Sequence, residues 1–416
     1  MPLQLESILA LHGTIQSAFE ALIGAAKQEA DPATLIKAEQ AVVKAAQQVE
    51  ASLLTPTDRA LRLALLPAVN TATRVAQLLD IFNVLQEEMT IDELAARTGA
   101  DPVLLLRIMR CLTAYNIFAQ TCADQFQATA FSRKLAEGPA GSFVKAAYDT
   151  VHAMNRGIPA ALLRTSFENP KDSSGSGAVE AWGKSIFQYM AEDPSMSAAY
   201  GLAMEVHGEL DPEYYAHFPF SEVREGLSGN ANATTIVDVG GGHGHVLREI
   251  IKENPDLQGR FILQDLPVVI HEVQKQDTPF ESMVQDIFQP QVLTDVKFWH
   301  LRHVLHDWPD AECSKILTHL RDGCLATNKI HGTRSYSRIL IQEFVLSDFD
   351  CGRREVNEDI TMMGCLGMER SESQWKELLR KSGLKIVKIW RAAVGDKGII
   401  VAEPDTDHDS EGESGY

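Results

Sequence analysis

The chain has 416 residues, of which 45% are hydrophobic and 23% charged, and these values are typical of a soluble globular protein with two or three domains. Its 38 Lys and Arg oppose 57 Asp and Glu, and the formal net charge of -19 disfavours binding to a nucleic-acid backbone. Because no basic segment precedes an apolar one at the start, and no apolar run approaches the ~20 residues of a bilayer span, we expect a cytoplasmic protein without membrane contact.

The cysteines are scattered along the chain, and none forms a C-x-x-C pair. This spacing indicates neither a disulfide framework nor a zinc site, so we expect reduced thiols and no metal centre. The six residues are Cys111, Cys122, Cys313, Cys324, Cys351 and Cys365.

The first part of the chain has the pattern of helices. Residues 1–50 carry apolar side chains at three-to-four spacing, which predicts amphipathic helix that packs against other elements. Residues 90–93 (TIDE) form a capping-box pattern that begins a short helix, and Gly99 ends it. Asp101 and Pro102 then begin a second helix. Two short helices joined by a tight turn are therefore predicted.

A small β-hairpin is predicted after these helices. Residues 117–119 and 126–128 have strand character and flank a polar turn, so residues of about 60–135 have the outline of a winged helix-turn-helix. Many winged helices bind DNA. Here the second helix offers only Arg107 and Arg110 among apolar residues, which disfavours DNA binding. We assign residues 1–215 to a helical N-terminal domain that contains this winged-helix region.

Residues 170–178 have the composition of a loop, and aromatic and apolar residues follow at helical spacing. These residues either pack in the core or form the wall of a ligand pocket. Thioether and ring surfaces suit a flat aromatic ligand. The candidates for such a wall are Phe187, Tyr189, Met190, Met362 and Met363.

From residue 234 onward, strands alternate with helices, which predicts an α/β domain with a parallel sheet over residues 216–403. The last two strands are close enough in sequence to form a hairpin at the sheet edge. Residues 404–416 are acidic and are predicted to be a disordered tail. The predicted strands are 235–239, 260–264, 282–285, 296–301, 338–345, 384–390 and 397–402.

A glycine-rich turn follows the first of these strands. It lacks the G-x-G-x-x-G dinucleotide pattern, because His245 and Leu247 stand where a glycine is needed, and no G-K-[ST] phosphate loop is present. The pattern D-x-G-x-G-x-G instead is typical of nucleoside-binding loops that hold a sulfonium and an amino acid. Glycines there let the backbone approach a ligand closely. The residues concerned are Asp238, Gly240, Gly241, Gly242 and Gly244.

Two acids at the ends of the next two strands support this interpretation. Asp265 can accept hydrogen bonds from both ribose hydroxyls, and Asp286 can accept one from an adenine amino group. Ile287 and Phe288 offer apolar surface for the adenine ring. Either acid alone would more often be a helix cap or a solvated turn residue. Two acids at consecutive strand ends after this glycine loop favour a nucleoside site.

With these motifs in place, the sequence resembles the S-adenosylmethionine-dependent small-molecule O-methyltransferases of the plant caffeate type and their fungal relatives. The most specific blocks are residues 237–244, 263–267 (LQDLP), 303–310 (HVLHDWPD) and 367–370 (GMER). The resemblance implies a Rossmann-like class I methyltransferase sheet and a winged-helix region that mediates homodimerisation. It also implies S-adenosyl-L-methionine as cofactor and an aromatic or polyketide-like small molecule as substrate.

The resemblance also implies the catalytic residues. His306 lies just after the strand 296–302, where its imidazole, with an unperturbed pKa of ~6.5, suits removal of a phenolic proton. By resemblance Glu343 and Glu369 orient this base, and Arg302 contacts the cofactor mostly through its backbone. The role of Asp307 stays open between substrate contact and loop structure.

Two further functions compete with O-methylation. Some fungal members of this family use the bound sulfonium to assist dehydration or pericyclic rearrangement, and loss of the three acid-base residues would favour that function. A winged-helix regulator is disfavoured by the net charge and the intact glycine loop. One departure from the family is visible, because residues 326–337 are longer and more polar than usual before a strand, which predicts a surface insertion.

Overall fold

The computed structural model of the chain describes residues 5–136, 138–209, 218, 220, 233–391 and 397–406. The chain divides into two compact units, Met1–Glu137 and Gly138–Tyr416. The domain boundary predicted after residue 215, and residues 407–416 of the tail predicted at 404–416, lie outside the described residues. Pro404, the first residue of that predicted tail, is instead buried at the end of the last strand.

Three long helices begin the first unit: α1 (Leu5–Lys27), α2 (Pro32–Leu53) and α3 (Pro56–Leu78). Asp31 caps α2 by accepting the backbone N–H of Thr34 at 3.1 Å, and a proline follows at the first helical position. The predicted helical character of residues 1–50 is confirmed as a pair of helices. None of the α1 residues is buried within the described chain, so its apolar face is uncovered.

Helix α1 is also apolar enough, with a mean hydropathy of 1.2, and long enough to cross a membrane. The prediction from uninterrupted apolar runs missed this, because polar residues such as Gln16 and Glu20 interrupt the apolar ones. A single helix of this kind is weak evidence for a membrane protein, since helices of soluble proteins and signal sequences satisfy the same criterion.

The predicted winged-helix outline is confirmed. Thr90 and Glu93 form both halves of the capping box, and Gly99 ends the helix with a φ of 71°. The three short strands form an antiparallel sheet in the order β1, β3, β2. The elements are α4 (Ile81–Val84), β1 (Met89–Thr90), α5 (Ile91–Thr98), α6 (Pro102–Ala114), β2 (Phe118–Gln120), β3 (Gln125–Ala128) and α7 (Ala130–Ala136).

The second unit begins with helices. A π-helical turn at Ala147–Val151 joins the first two of them. The loop predicted for residues 170–178 contains a short 3-10 turn, and its last two residues already belong to a helix. The helices are α8 (Gly138–Ala146), α9 (His152–Arg164), α10 (Gly177–Trp182), α11 (Ile186–Glu192) and α12 (Pro194–Glu209).

Helices α9 and α10 approach closely at a pair of glycines, Gly157 and Gly177. A Cβ at Gly177 would lie 2.4 Å from the carbonyl oxygen of Met154, which is backbone and cannot move aside cheaply. We therefore expect Gly177→Ala to destabilise the protein by about 1–3 kcal/mol through overpacking. Gly24→Ala is the matched control, because Gly24 lies within α1 with open space around it, and alanine there favours helix. Thermal denaturation should show a lower Tm for Gly177→Ala alone, and equal Tm values would contradict this packing.

The large sheet of the second unit contains all seven predicted strands. Its main path runs β10, β11, β8, β7, β4, β5, β6, with the five earlier strands parallel and the final hairpin antiparallel, as predicted. A two-residue strand, β9 (Arg370–Ser371), pairs with the end of β8. The other strands are β4 (Thr234–Val239), β5 (Arg260–Asp265), β6 (Glu281–Val284), β7 (Val296–Arg302), β8 (Arg338–Leu346), β10 (Leu384–Arg391) and β11 (Lys397–Pro404).

The chain order of the strands reverses direction between β4 and β7, because β5 and β6 follow on one side of β4 and β8 lies beyond β7. Ligands of open α/β sheets bind at such a switch point, outside the carboxyl ends of the strands. Two apolar clusters cover the two faces of the sheet. The remaining helices are α13 (His245–Glu253), α14 (Pro267–Val273), α15 (Asp310–Ile330), α16 (Arg353–Gly364) and α17 (Glu372–Lys381).

The surface insertion predicted at residues 326–337 stays a prediction, and the structure shows which part of the segment is at the surface. Helix α15 continues to Ile330 and residues 332–335 are exposed, whereas Thr327, Asn328 and Ser337 are buried. These polar side chains are structural: Thr327 accepts the backbone N–H of Val296 at 3.2 Å, and Asn328 accepts that of Ser337 at 2.7 Å. Part of the polarity of the segment therefore satisfies backbone groups before β8.

Candidate active site

The glycine loop lies at the switch point, between the end of β4 and the start of α13. Three glycines have left-handed backbone conformations: Gly240 (φ 70°), Gly242 (φ 59°) and Gly244 (φ 73°). The fourth, Gly241, has no space for a side chain, because a Cβ there would lie 2.4 Å from an Asp238 carboxylate oxygen. All four glycines are thus required for the loop conformation, which leaves a backbone cradle suited to a close ligand.

Asp265 braces this loop from the end of β5. One carboxylate oxygen accepts the N–H of Gly242 at 2.8 Å, and the other accepts the N–H of Leu266 at 2.7 Å. Burial raises the pKa of Asp265. The carboxylate therefore fixes the glycine loop. It lies at the end of β5, where the sequence predicts contact with a ribose.

Asp265→Ala is expected to weaken S-adenosylhomocysteine binding by about 1.5–3 kcal/mol, the usual value of hydrogen bonds to a charged group. This corresponds to at least about a tenfold increase in Kd. Calorimetric titration of Asp265→Ala, with Asp277→Ala as a control on an exposed acid, checks the expectation. Asp265→Asn should lose less, because its amide oxygen can still accept one backbone N–H. Unchanged affinity in Asp265→Ala would contradict a role in cofactor binding.

The predicted adenine residues follow β6. Asp286 is exposed, and its carboxylate accepts the N–H of Phe288 at 2.9 Å, which shapes the turn. Ile287 and Phe288 pack against the apolar cluster of the sheet. The edge of the Phe288 ring meets Trp308, with ring centroids 4.8 Å apart. The structure thus brings these residues beside the glycine loop's edge of the sheet, and their contact with adenine stays a prediction.

Sequence reasoning missed a buried histidine beneath the glycine loop. His300 of β7 donates from Nδ1 to Asp238 on β4 at 2.8 Å, and its Nε2 lies 3.1 Å from the amide oxygen of Gln342 on β8. These three polar side chains are almost fully buried, so each depends on the others. The sequence signal for this histidine was its position within the apolar segment FWHL of β7, where a polar side chain needs buried partners. These hydrogen bonds fix the side chain of Asp238, the first residue of the D-x-G-x-G-x-G pattern.

Arg302 ends β7 and reaches the start of α13. Its guanidinium donates to Nε2 of His245 at 3.1 Å. Burial first, and the Arg302 charge second, lower the pKa of His245 to about 4, so this imidazole is neutral and can accept the bond. The side chain of Arg302 is therefore committed to the protein, which leaves its backbone for the predicted cofactor contact.

His306 lies on a 3-10 turn, Leu305–Asp307, just after β7. Glu343, buried near the middle of β8, holds this turn by its backbone. One oxygen, Oε1, accepts the N–H groups of Val304 and Leu305 at 3.0 Å each and of His306 at 3.4 Å. Its other oxygen lies 3.9 Å from His306 Nδ1, beyond hydrogen-bond distance. Glu343 therefore positions His306 through the backbone of its turn.

Glu369 orients the imidazole itself. His306 Nδ1 donates to its Oε1 at 2.7 Å, and both groups are buried. This bond fixes the ring and its tautomer, which leaves Nε2 as the nitrogen that can accept a proton. Asp307 faces that nitrogen, with Oδ1 at 3.6 Å from Nε2.

The motif at residues 367–370 holds the same turn from the opposite side. The N–H of Met368 donates to the carbonyl oxygen of His306 at 2.8 Å. A Cβ at Gly367 would lie 1.9 Å from that oxygen, so only glycine fits. Arg370, fully buried, donates to the carbonyl oxygens of Leu305 at 3.1 Å and Trp308 at 2.9 Å. This arginine belongs to the motif GMER, but its contacts with the turn could not be predicted from that motif.

Opposing effects set the charge of His306. Burial lowers the pKa of His306, but the carboxylates of Glu369, Glu343 and Asp307 outweigh it and raise that pKa to about 10. Burial raises the pKa of Glu343 to about 7 and that of Asp307 to about 6. Near neutral pH the buried group therefore binds a proton at the imidazole, close to at least one carboxylate.

Aromatic side chains lie next to the base. Phe187 of α11 stacks on Trp308 with ring centroids 5.3 Å apart and planes 14° apart, although Phe187 is otherwise exposed. Tyr189 stacks on Trp182 at 4.4 Å, and Met190 packs on the same small cluster. Burial, and then the nearby Asp307 charge, raise the pKa of Tyr200 on α12. The aromatic and apolar residues that follow residue 178 were expected either in the core or in a pocket wall. Both occur, because Ile186 is buried in the core and Phe187 is on accessible surface.

Comparison with known proteins identifies the family. Residues 175–385 match the O-methyltransferase domain model, and residues 61–138 match the O-methyltransferase dimerisation domain. The chain belongs to the O-methyltransferase family. The O-methyltransferase ucdC of Aspergillus ustus is 30% identical over 84% of this chain and 90% of its own length. Demethylsterigmatocystin 6-O-methyltransferase of Aspergillus parasiticus is 28% identical over 86% of this chain and 91% of its own length.

Solved structures share the fold. OxaC in complex with S-adenosylhomocysteine (SAH) and oxaline has a TM-score of 0.81 at 25% identity, covering 95% of this chain and all of its own. LepI in complex with S-adenosylmethionine (SAM) has a TM-score of 0.80 at 24% identity, covering 96% and 99%. A structure titled as a pericyclic reaction enzyme has a TM-score of 0.80 at 23% identity, over 96% of this chain and all of its own. The last two likenesses show the fold alone.

These findings confirm the enzyme class inferred from the motifs. The chain is an S-adenosylmethionine-dependent O-methyltransferase of the type that acts in secondary metabolism, with an N-terminal dimerisation domain. Its cofactor is S-adenosylmethionine, and the glycine loop, in which Gly240, Gly242 and Gly244 have left-handed backbone conformations, is consistent with this ligand.

Proposed function

We propose that this enzyme methylates a hydroxyl group of an aromatic or polyketide-like secondary metabolite, with His306 as the general base. The observation that carries the proposal is the 2.7 Å hydrogen bond from His306 Nδ1 to Glu369, in a turn whose backbone is fixed by Glu343 and Arg370. A base held in this way presents one nitrogen, Nε2, in one direction.

Each protein group has a part in the transfer. S-adenosylmethionine, when bound, supplies the electrophilic methyl group. The residues that would hold it are the glycine loop with Asp238, the acids Asp265 and Asp286, the apolar pair Ile287 and Phe288, and the backbone of Arg302. Neutral His306 accepts the hydroxyl proton at Nε2 as the acceptor oxygen gains its methyl group. The adjoining carboxylates stabilise the imidazolium that results.

The acceptor side suits a flat ring. Phe187 and Trp308 form an aromatic surface beside the base, and Met362 and Met363 are half-buried near the end of α16, shortly before Gly367. Such rings offer stacking area to a planar substrate, and thioethers adapt to its outline. The name of the relative demethylsterigmatocystin 6-O-methyltransferase supports transfer to an oxygen of a small molecule.

A fold shared with a pericyclic reaction enzyme supplies the alternative, dehydration or rearrangement without methyl transfer. The base arrangement bears on one part of this alternative. A rearrangement aided by the sulfonium charge does not require a base, whereas methyl transfer to a hydroxyl requires removal of its proton, and dehydration requires proton removal as well. The intact set of His306, Glu343 and Glu369 therefore favours methyl transfer over rearrangement, and the labelling experiment below separates it from dehydration.

The experiment is incubation of the purified protein with trideuteromethyl-labelled S-adenosylmethionine and a panel of phenolic polyketides. Mass spectrometry should show product bearing the labelled methyl group, and S-adenosylhomocysteine should form in equal amount. Isomerised or dehydrated product without label would support the alternative function instead. The His306→Gln variant serves as the control for transfer that does not use the base.

We also propose that the enzyme acts as a cytoplasmic homodimer. The matched dimerisation domain and the uncovered apolar faces of the first helices support this assembly. Light scattering of the intact protein at micromolar concentration should give the mass of two chains, and removal of residues 1–50 should give monomer or aggregate. A stable monomer of the intact chain would contradict the proposal.

A further inference from the structure

A second histidine lies beside the catalytic group and has no part in the methyl transfer proposed above. One ring nitrogen from each of His303 and His306 and a carboxylate oxygen of Glu343 all lie within 4.8 Å of one another. The three residues come from the end of β7 and from β8, and all are at least largely buried. Imidazole nitrogens and carboxylate oxygens at this spacing are the donor set of a transition-metal site.

The backbone brings His303 to this position. Its φ of 51° is in the left-handed region, where a residue of this size is uncommon. Its side chain is only 12% exposed, and Nδ1 lies 3.5 Å from Glu343 Oε2. The His303 and His306 rings have centroids 4.9 Å apart. The chain thus adopts an unusual conformation that places a second imidazole against the buried carboxylate.

Glu343 is already arranged as a metal ligand. Its Oε1 is held by the backbone of the His306 turn, while Oε2 has no hydrogen-bond partner among the residues that the structure describes. The side chain is fully buried. The same holds for Glu369, which bonds His306 through Oε1 and leaves a buried Oε2 without a partner within the described chain. A buried carboxylate oxygen without a hydrogen-bond partner is a candidate ligand for a metal ion.

We propose that His303, His306 and Glu343 form a binding site for Zn²⁺ that inhibits the enzyme. Zn²⁺ binds these ligands at about 2.0–2.2 Å in tetrahedral geometry, which places neighbouring ligand atoms ~3.4 Å apart. The distances from Glu343 Oε2, 3.5 Å to His303 Nδ1 and 3.9 Å to His306 Nδ1, need small shifts to reach it, and the ligand atoms of the two histidines lie within 4.8 Å of each other. A water molecule would complete the tetrahedron as the fourth ligand.

Zn²⁺ would inhibit the enzyme because it binds a ring nitrogen of His306. When Zn²⁺ binds Nδ1 of His306, the proton on Nδ1 is released to solvent and the ring keeps its other proton on Nε2. Nε2 then cannot accept the hydroxyl proton of the substrate, and His306 is inactive as a base. This consequence rests on the proposed function of His306, whereas Zn²⁺ binding itself does not.

The test is calorimetric titration of the full-length protein with zinc chloride. We expect one ion per chain, and at least a tenfold weaker Kd for His303→Asn, a residue that tolerates the left-handed backbone. His271→Asn, which removes an exposed histidine of α14, is the matched control and should bind as the wild type does. Unchanged S-adenosylhomocysteine binding in His303→Asn verifies that it is folded. Equal Zn²⁺ affinity in wild type and His303→Asn would overturn the site.

A turnover assay tests the inhibition separately. Zn²⁺ should stop methyl transfer by the wild type, a chelator should restore it, and His303→Asn should retain turnover at the same Zn²⁺ concentration. Stimulation by Zn²⁺, or equal inhibition of both proteins, would overturn the inhibitory role. If His306 proves not to be the base, the calorimetric result still decides whether the metal site exists.

Discussion

His306→Gln is expected to lower the rate of methyl transfer by ~10²–10⁴, the usual contribution of one positioned general base. Glutamine keeps most of the volume of the ring and can still meet Glu369, so the buried turn should stay folded. It has no nitrogen lone pair to accept the acceptor's proton. The cofactor residues do not include His306, so S-adenosylhomocysteine should bind with unchanged Kd. Calorimetry for binding and single-turnover kinetics for transfer separate the two effects.

Glu369→Gln supplies the graded comparison. Its amide oxygen can accept the Nδ1 proton of His306, but it lacks the charge that stabilises the imidazolium. We therefore expect a smaller loss of rate than for His306→Gln, again without a change in cofactor affinity. His271→Gln, on the exposed side of α14, controls for removal of any histidine. Undiminished transfer by His306→Gln would show that another group, or solvent, removes the proton.

The rate should also increase with pH over an unusually high range. Because the surrounding carboxylates raise the pKa of His306 to about 10, the imidazole in the free enzyme is mostly protonated at pH 7 and cannot act as a base. Raising the pH removes that proton. We expect kcat/KM to increase roughly tenfold per pH unit above neutrality and to level off as the pH reaches the pKa of the base. The total gain is of the order of 10²-fold or more.

A control is needed because a phenolic acceptor titrates with a pKa of ~10 as well. Two acceptors with different phenol pKa values should give the same midpoint if His306 controls the profile. Glu369→Gln should move the midpoint to lower pH, because it removes the carboxylate charge that contributes most to raising the pKa of His306. A flat profile between pH 7 and 9 would contradict a protonated resting base. The kcat profile reports the complex in which the positive sulfonium is bound, and this charge disfavours a protonated imidazole. The midpoint for kcat should therefore lie at lower pH than the midpoint for kcat/KM.

Much of the fold could be predicted because its signals are local. The capping box at Thr90, the left-handed Gly99 and the strand endings at Asp265 and Arg302 each depend on residues adjacent in sequence. The glycine loop was recognisable for the same reason, since its backbone conformations need glycine at particular positions. The strand pattern then implied the edge of the sheet at which these residues meet.

Contacts between distant residues account for what was missed. His300 lies in an apolar strand, and only the pairing of three strands shows that it bonds Asp238 and Gln342. Arg370 binds carbonyl oxygens of a turn about sixty residues earlier, and no local pattern indicates those partners. Glu343 was expected to orient the imidazole, whereas it holds backbone N–H groups, a distinction that depends on distances of a few tenths of an ångström.

The position of β11 has a consequence for synthesis of the protein. This last strand, Lys397–Pro404, pairs with β8 on one side and β10 on the other, and Gly398 lies opposite Glu343. The strand that carries Glu343 therefore lacks one neighbour until residues 397–404 have left the ribosome. This sheet cannot finish folding before then, and a nascent chain halted before residue 397 would expose the β8 edge to chaperones or to aggregation.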